Sequence, residues 1–170
     1  MSSNSSQTPF APSIAMVTLG TANVERATKF YTDLGFVPDK TISGPFCQFF
    51  QLNDIILVIY PEEALNKVFA DACHKEIHSQ DPSPAVDQPK STLPYRSGRM
   101  VSHACASKEA VDAAYGRAIH SGATVIKKPV DWTSGGGYGG YFADPDGHVW
   151  EVVYLPMWKL TAAGGMVINA

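Results

Sequence analysis

The sequence is short of charged residues, of cysteine and of long hydrophobic runs. Charged residues make up 17% of its 170 residues and the net charge is −3, so no basic surface indicates nucleic acid or an anionic membrane as a partner. The three cysteines, Cys47, Cys73 and Cys105, show no CxxC or zinc-binding spacing, which predicts reduced thiols in a cytoplasmic protein. No apolar run approaches the ~20 residues of a membrane-spanning helix.

What is present is the composition of a globular protein. Hydrophobic residues make up 45% of the chain, and a chain of this length buries a sizeable core without disulfides. Residues 1–13 have neither the basic nor the apolar region of a signal peptide, so we expect a flexible lead-in there. Residues 157–170 form a C-terminal tail whose pattern is too mixed to predict a structure.

Residues 14–60 have the pattern of a strand, a helix and three further strands. The apolar strand 14–19 leads to a helix that Asn23 caps and Gly35 ends. The three later strands are predicted over residues 36–41, 46–52 and 55–60, with a tight turn at Asn53-Asp54. Residues 61–97 then interrupt this pattern with a helix over 62–77 and a proline-rich linker. The linker either joins two modules or covers a site, and a surface linker is the favoured interpretation.

The same order of elements recurs over residues 98–156. A strand over 99–106 leads to a helix over 108–120, which Ser107 caps and which Ser121-Gly122 ends. The strands that follow are predicted over 123–128, where Pro129 ends the first, and over 135–143 and 148–155. The last two form a hairpin around the turn Asp144-Pro145-Asp146-Gly147.

The two units align with each other through a few anchor residues. Setting Gly35 against Gly122 pairs Met16 with His103. Setting LVIY (57–60) against EVVY (151–154) pairs Leu57 with Glu151. The chain is therefore predicted to contain two similar modules.

Three segments carry a resemblance to a known family: TLGTANVERATKFYTDLGF, SHACASKEAVDAAYGRAIHSGATVIKKP and GGYGGYFADPDGHVWEVVY. In this order and spacing, the sequence resembles the vicinal oxygen chelate superfamily, which includes glyoxalase I, extradiol dioxygenases and bleomycin-resistance proteins. The resemblance implies an α+β fold. Two βαβββ modules would form a curved, half-barrel-like mixed sheet around a small-molecule cavity, in a homodimer.

The resemblance also implies where a metal would bind, on the first and last strands of each module. In the second module these positions fall on His103 and Glu151, which match the ligand types of the family. In the first module they fall on Met16 and Leu57, which do not suit a hard or borderline divalent ion. We therefore expect no metal cofactor, and a divalent ion held by His103 and Glu151 alone is the less favoured alternative.

Without a metal, His103 and Glu151 are the candidate catalytic residues. The family fold is expected to bring them together as a hydrogen-bonded acid/base pair. The competing interpretation is a polar pair that lines a cavity without catalytic function.

The resemblance also implies an apolar binding wall. Inward-facing positions of the first module, together with an aromatic pocket mouth in the second, would line the cavity. The predicted ligand-binding residues are Met16, Gln48, Phe50, Leu57, Trp132 and Tyr138. Trp150, which alternates with Glu151, is expected to face away from the cavity.

Three functions remain open on this evidence. The first is a lyase or isomerase that acts on a small carbonyl-containing or aromatic metabolite with His103 and Glu151. The second is a protein that binds and sequesters a small molecule without turnover, as bleomycin-resistance proteins do. The third is an enzyme that uses a divalent metal with an incomplete set of protein ligands.

Overall fold

A computed structural model of the chain describes residues 14–67, 96–133, 135–162 and 164–167, without the side chain of Ser97. The predicted lead-in, the proline-rich linker and the predicted helix beyond residue 67 lie outside these ranges. Among the described residues, no helix has the length and hydrophobicity needed to span a bilayer.

The first module contains one helix and a three-stranded sheet. Its elements are β1 (Met16–Thr21), α1 (Val24–Asp33), β2 (Gln48–Leu52) and β3 (Ile55–Pro61). Sheet A has the order β1-β3-β2, with β1 parallel and β2 antiparallel to β3. Asn23 caps α1 through its side chain, which accepts from the Arg26 backbone N–H at 2.9 Å, and residues 62–67 are helical.

The predicted strand over residues 36–41 is wrong. Only an isolated bridge between Pro38 and Phe50 forms there. Proline has no N–H to continue a ladder, and the Asp39 carboxylate accepts from the Thr41 backbone N–H at 2.7 Å, which turns the chain away from the sheet. The first module is therefore a β-α-β-β unit with one additional bridge.

The second module contains one helix and a four-stranded sheet. Its elements are β4 (Arg96–Ala104), α2 (Lys108–His120), β5 (Thr124–Asp131), β6 (Tyr138–Ala143) and β7 (His148–Tyr154). Sheet B has the order β4-β7-β6-β5, with β4 parallel to β7 and the other pairs antiparallel. A small hairpin of β8 (Lys159–Leu160) and β9 (Met166–Val167) follows. These mixed, unclosed sheets with few helices confirm the predicted α+β fold.

The helix α2 forms where the sequence predicts it. The Ser107 hydroxyl accepts from the Ala110 backbone N–H at 3.2 Å, and Gly122 has a φ of 100°, which ends the helix without the strain that a side chain would add. By contrast, β5 continues through Pro129, where we expect a strand end. Because β5 is the edge strand and its register shifts between Lys127 and Val130, a missing N–H is tolerated there.

One hydrophobic core joins the two modules. The Tyr31 ring of α1 packs against the Trp150 ring of β7, with ring centroids 5.8 Å apart. Polar contacts between the modules reinforce this packing: the Tyr31 hydroxyl donates to Asp144 at 2.5 Å, and Arg26 pairs with Asp146 at 2.6 Å. The helices α1 and α2 therefore lie on the core side, and one face of each sheet points away from it.

Candidate functional site

Glu151 lies at the centre of sheet B, on the face opposite α2. Its strand β7 runs between β4 and β6, and the register places Ser102 on one side of Glu151 and Tyr141 on the other. The carboxylate is buried, with 8% of the residue exposed, and it accepts a hydrogen bond from the Ser102 hydroxyl at 2.7 Å. We call this surface, with Ser102, Tyr141 and Glu151 in one row, the Glu151 face.

Tyr141 adds a second hydroxyl to this row. Burial raises the pKa of Tyr141 above its ordinary value, and the charge of the neighbouring Glu151 carboxylate raises it further. The phenol is therefore a stable hydrogen-bond donor at neutral pH. A carboxylate and two hydroxyls thus lie side by side on three adjacent strands.

Trp132 forms an aromatic wall beside this row. A Cβ atom built on Gly137 would lie 2.6 Å from Trp132 Cε3, and one built on Gly139 would lie 3.4 Å from Trp132 Cζ2. Gly139 and Tyr141 are two residues apart in β6 and share a face, which places the Trp132 ring on the Glu151 face. Gly137 and Gly139, which have no side chain, thus make room for this indole.

His103 does not lie with Glu151, so the predicted acid/base pair is wrong. Ser102, the neighbour of His103 in β4, is the register partner of Glu151, and successive side chains of a strand point to opposite faces. His103 lies on the α2 face, among alanines of that helix. Solvent reaches much of the ring, yet the atoms packed around it lower the pKa of His103 through desolvation.

Two other side chains also lie on the α2 side. Trp150 is buried there, as we expect from its alternation with Glu151. Tyr138 lies there too: its hydroxyl donates to Asp112 of α2 at 2.7 Å, and the Lys108 ammonium lies 5.4 Å from its ring centroid. Tyr138 therefore packs on the helix and does not form a mouth to the Glu151 face.

The predicted apolar wall of the first module is not assembled in the described structure. Phe50 and Leu57 are almost fully buried in the core. Gln48, at the start of β2, donates from its side-chain amide to the carbonyl of Gly44 in the preceding loop at 2.6 Å. Met16, on the other hand, is exposed on β1. The strand registers explain the error. Gln48, Phe50 and Leu57 share the face of sheet A that packs on the core, whereas Met16 is the partner of Ile56 and lies on the opposite face.

The donor set of the described chain does not fit the divalent ion that the resemblance implies. Within the described ranges, no group of three or more His, Cys, Asp or Glu side chains is placed to hold a metal ion. Catalytic zinc sites keep three protein ligands from these types, whereas in the described chain the Glu151 carboxylate accepts its hydrogen bond from the Ser102 hydroxyl. His103 and Glu151, the two candidate ligands, point to opposite faces of one sheet and cannot share an ion.

Ser102 and Tyr141 are the two site residues that sequence reasoning missed. Neither is among the candidates that the sequence suggests, where His103 is the expected partner of Glu151. The strand pattern could have identified them, because the register of β4, β6 and β7 determines which residues lie beside Glu151. That register depends on a bulge between Arg96 and Val101, which the sequence does not mark.

The sequence of this chain matches the model of a known protein family. Residues 13–152 match the family model of the Glyoxalase/Bleomycin resistance protein/Dioxygenase superfamily. The chain belongs to this superfamily. The match spans both modules and the connection between them, which confirms the resemblance drawn from the three sequence segments.

Solved structures of this superfamily share the fold. A glyoxalase-related enzyme from Fulvimarina pelagi has a TM-score of 0.73 at 22% identity, over 94% of this chain and 100% of that one. A glyoxalase/bleomycin resistance protein/dioxygenase family enzyme from Burkholderia phytofirmans has a TM-score of 0.63 at 20% identity, over 83% and 97%.

A more distant neighbour is lactoylglutathione lyase from Agrobacterium tumefaciens, with a TM-score of 0.53 at 19% identity, over 85% of this chain and 94% of that one. A search of curated proteins found no match. At these identities the likeness shows the fold alone.

Proposed function

We propose that the Glu151 face binds a small carbonyl-containing organic molecule and that Glu151 transfers a proton on it, as in a lyase or isomerase. The observation that supports this is a buried carboxylate whose hydrogen bond comes from a neutral hydroxyl, Ser102, at 2.7 Å. Within the described residues, no cation pairs with Glu151. A buried charge without a cationic partner is costly to stability, and active sites tolerate such groups for their chemistry.

The proposed chemistry is proton abstraction next to a carbonyl group. The Glu151 carboxylate takes the C–H proton, the electron pair passes into the carbonyl, and an enolate forms. The Tyr141 hydroxyl donates a hydrogen bond to the enolate oxygen. Return of the proton to another carbon gives an isomerase, and departure of a leaving group from the adjacent carbon gives a lyase.

A second candidate function is binding without turnover. The Trp132 ring beside the Glu151 face favours it, because an aromatic wall with a single carboxylate also suits capture of a ligand with an apolar body. In this case Glu151 and Tyr141 orient the ligand and transfer no proton. The two functions differ in whether the bound molecule exchanges a proton with solvent.

The test is exchange of carbon-bound hydrogen in D₂O, followed by proton NMR. Suitable probes are 2-hydroxyacetophenone, dihydroxyacetone and the hemithioacetal of methylglyoxal and glutathione. We expect the wild type to catalyse exchange in at least one, and Glu151→Gln to lose about 100-fold or more of that rate. The His103→Gln variant is the matched control and keeps it. Exchange that persists in Glu151→Gln contradicts the proposal, and tight binding without exchange favours sequestration.

A further inference from the structure

A cavity lies on the α2 side of sheet B, between the two modules. Its volume is about 320 Å³, roughly ten times the ~30 Å³ that a water molecule occupies in the liquid. Leu34 and Phe36 close it at the end of α1, and one face of α2 closes it on the other side. The cavity has room for a small organic molecule and shares no lining residue with the Glu151 row.

The walls of this cavity suit a flat apolar ligand. The Phe142 and Trp150 rings, parallel within 2° with centroids 6.4 Å apart, close the bottom of the cavity and are only 2% and 4% exposed. Opposite them, α2 presents Ala110, Ala113 and Ala114, whose small side chains leave the space open. An aromatic body between Phe36 and this row of methyl groups buries apolar area on both of its faces.

Two polar side chains complete the lining, one near each end. Arg117 lies two turns beyond Ala110 in α2, about 10 Å along the helix axis, and His103 lies on β4 just before the chain enters α2. The Arg117 guanidinium makes one long hydrogen bond, 3.5 Å to the Leu34 carbonyl. Within the described part of the chain it has no carboxylate partner, and neither ring nitrogen of His103 has a hydrogen-bond partner.

We propose that this cavity binds a small aromatic carboxylate, with the ring between Phe36 and the alanines of α2 and the carboxylate on Arg117. Arg117 is the charged group of the lining that keeps its charge at every physiological pH, and the lining contains no acidic side chain, so the cavity selects an anion. A guanidinium with free N–H donors holds a carboxylate in bidentate geometry. His103 is then placed to bond a polar substituent at the far end of the ligand. This site is independent of the Glu151 face.

The test uses 2-naphthoate and its uncharged analogue 2-naphthamide as probes, with affinities measured by isothermal titration calorimetry. We expect the wild type to bind 2-naphthoate more tightly than 2-naphthamide. Arg117→Gln should weaken 2-naphthoate binding roughly 10- to 100-fold, the equivalent of a lost charged hydrogen bond, and leave 2-naphthamide unchanged. Lys128→Gln removes the same charge from an exposed site on β5 and should change neither affinity.

Two further variants keep the proposal falsifiable if Arg117→Gln folds poorly. Ala114→Leu fills the cavity and should weaken both probes, whereas Arg117→Lys keeps the charge and should retain most of the preference for the anion. The proposal is overturned if the wild type binds neither probe, if it binds both equally, or if Ala114→Leu binds them as the wild type does.

Discussion

Ser102 and His103 are neighbours in β4, and their side chains point to opposite faces of sheet B. Residue types alone favour His103 as the partner of Glu151, because histidine is the usual proton-transfer group near neutral pH. In the structure Ser102, not His103, lies beside Glu151. A difference of one residue along a strand is enough for this, because successive side chains point to opposite faces. The sequence suggests Glu151 and Trp132, which lie in the candidate site, but it does not identify Ser102 as the partner of Glu151.

The titration of His103 distinguishes these two arrangements. Desolvation lowers the pKa of His103 from its ordinary value of 6.5, so its proton NMR signals should titrate below pH 6.5. Glu151→Gln should leave this midpoint unchanged, because the carboxylate lies on the other face. A midpoint that falls in Glu151→Gln would instead show that the two side chains form a pair.

The lowered pKa of His103 also makes the stability of the folded protein depend on pH. Since the folded state holds the proton of His103 less tightly than the unfolded chain, stability is fully present above pH 6.5 and decreases as the pH falls through the folded-state pKa. His103→Gln should make urea unfolding less dependent on pH in this window. An unchanged pH dependence would contradict desolvation as the cause.

Tyr31 is the residue whose hydroxyl joins the modules most directly. It is fully buried, donates to Asp144 at 2.5 Å, and its pKa is raised well above the ordinary value by burial first and by the Asp144 charge second. Tyr31→Phe leaves the buried Asp144 carboxylate one donor short and should lower the free energy of unfolding by about 1.5–3 kcal/mol in urea titration.

Tyr60→Phe is the matched control for this variant, because the Tyr60 hydroxyl makes no hydrogen bond to a described residue. It should change the free energy of unfolding by less than about 0.5 kcal/mol. Equal effects of the two variants would show that the contact between Tyr31 and Asp144 contributes nothing specific.

At the scale of elements, the sequence predicts the helices better than the strands. The bounds of α2 and the caps of both helices match the prediction, because single local residues determine them. Asn23 and Ser107 cap the helix starts, and a glycine follows each helix end. No strand forms over residues 36–41, because Pro38 lacks the N–H of a strand ladder and Asp39 forms a turn instead. The strand β5 continues through Pro129, because an edge strand tolerates a missing backbone N–H. The residue at which a strand ends depends on its partner strands, and the sequence alone does not identify those partners.

The β5–β6 pair allows a direct test at this scale. A Cβ atom on Gly140 would lie 2.7 Å from the Pro129 nitrogen and 2.9 Å from the Lys127 carbonyl oxygen, so Gly140→Ala must push two strands apart. We expect it to lower the free energy of unfolding by about 1–3 kcal/mol in urea titration.

Gly116→Ala is the control for this variant, since it is the same substitution inside α2 with nothing within 4 Å of the new atom. Alanine is the better helix former, so this variant should be stabilised by up to about 1 kcal/mol. A Gly140→Ala protein as stable as the wild type would contradict the close approach of β5 to β6.

At the scale of the whole molecule, the two modules share one core through α1 and sheet B, and they leave the Glu151 face outside it. The exposed Met16 and Met100 lie on β1 and β4, the first strands of the two modules. Exposed apolar side chains at strand edges are typical of an interface, and we retain the homodimer as a proposal.

Light scattering coupled to gel filtration tests the dimer. We expect a mass of about twice 18.3 kDa for the wild type. A Met16→Lys, Met100→Lys double variant should shift the protein toward the monomer without loss of secondary structure. A monomeric wild type, or a double variant that dimerises as the wild type does, would contradict an interface at these residues.

The central proposal for this molecule is that the Glu151 face is its site of function. The most direct measurement is a crystal structure of Glu151→Gln with the probe that the wild type exchanges. We predict that the probe contacts residue 151 and Tyr141, with its body against Trp132. A probe bound away from this face, for example beside His103 and α2, would contradict the Glu151 face as the site of function.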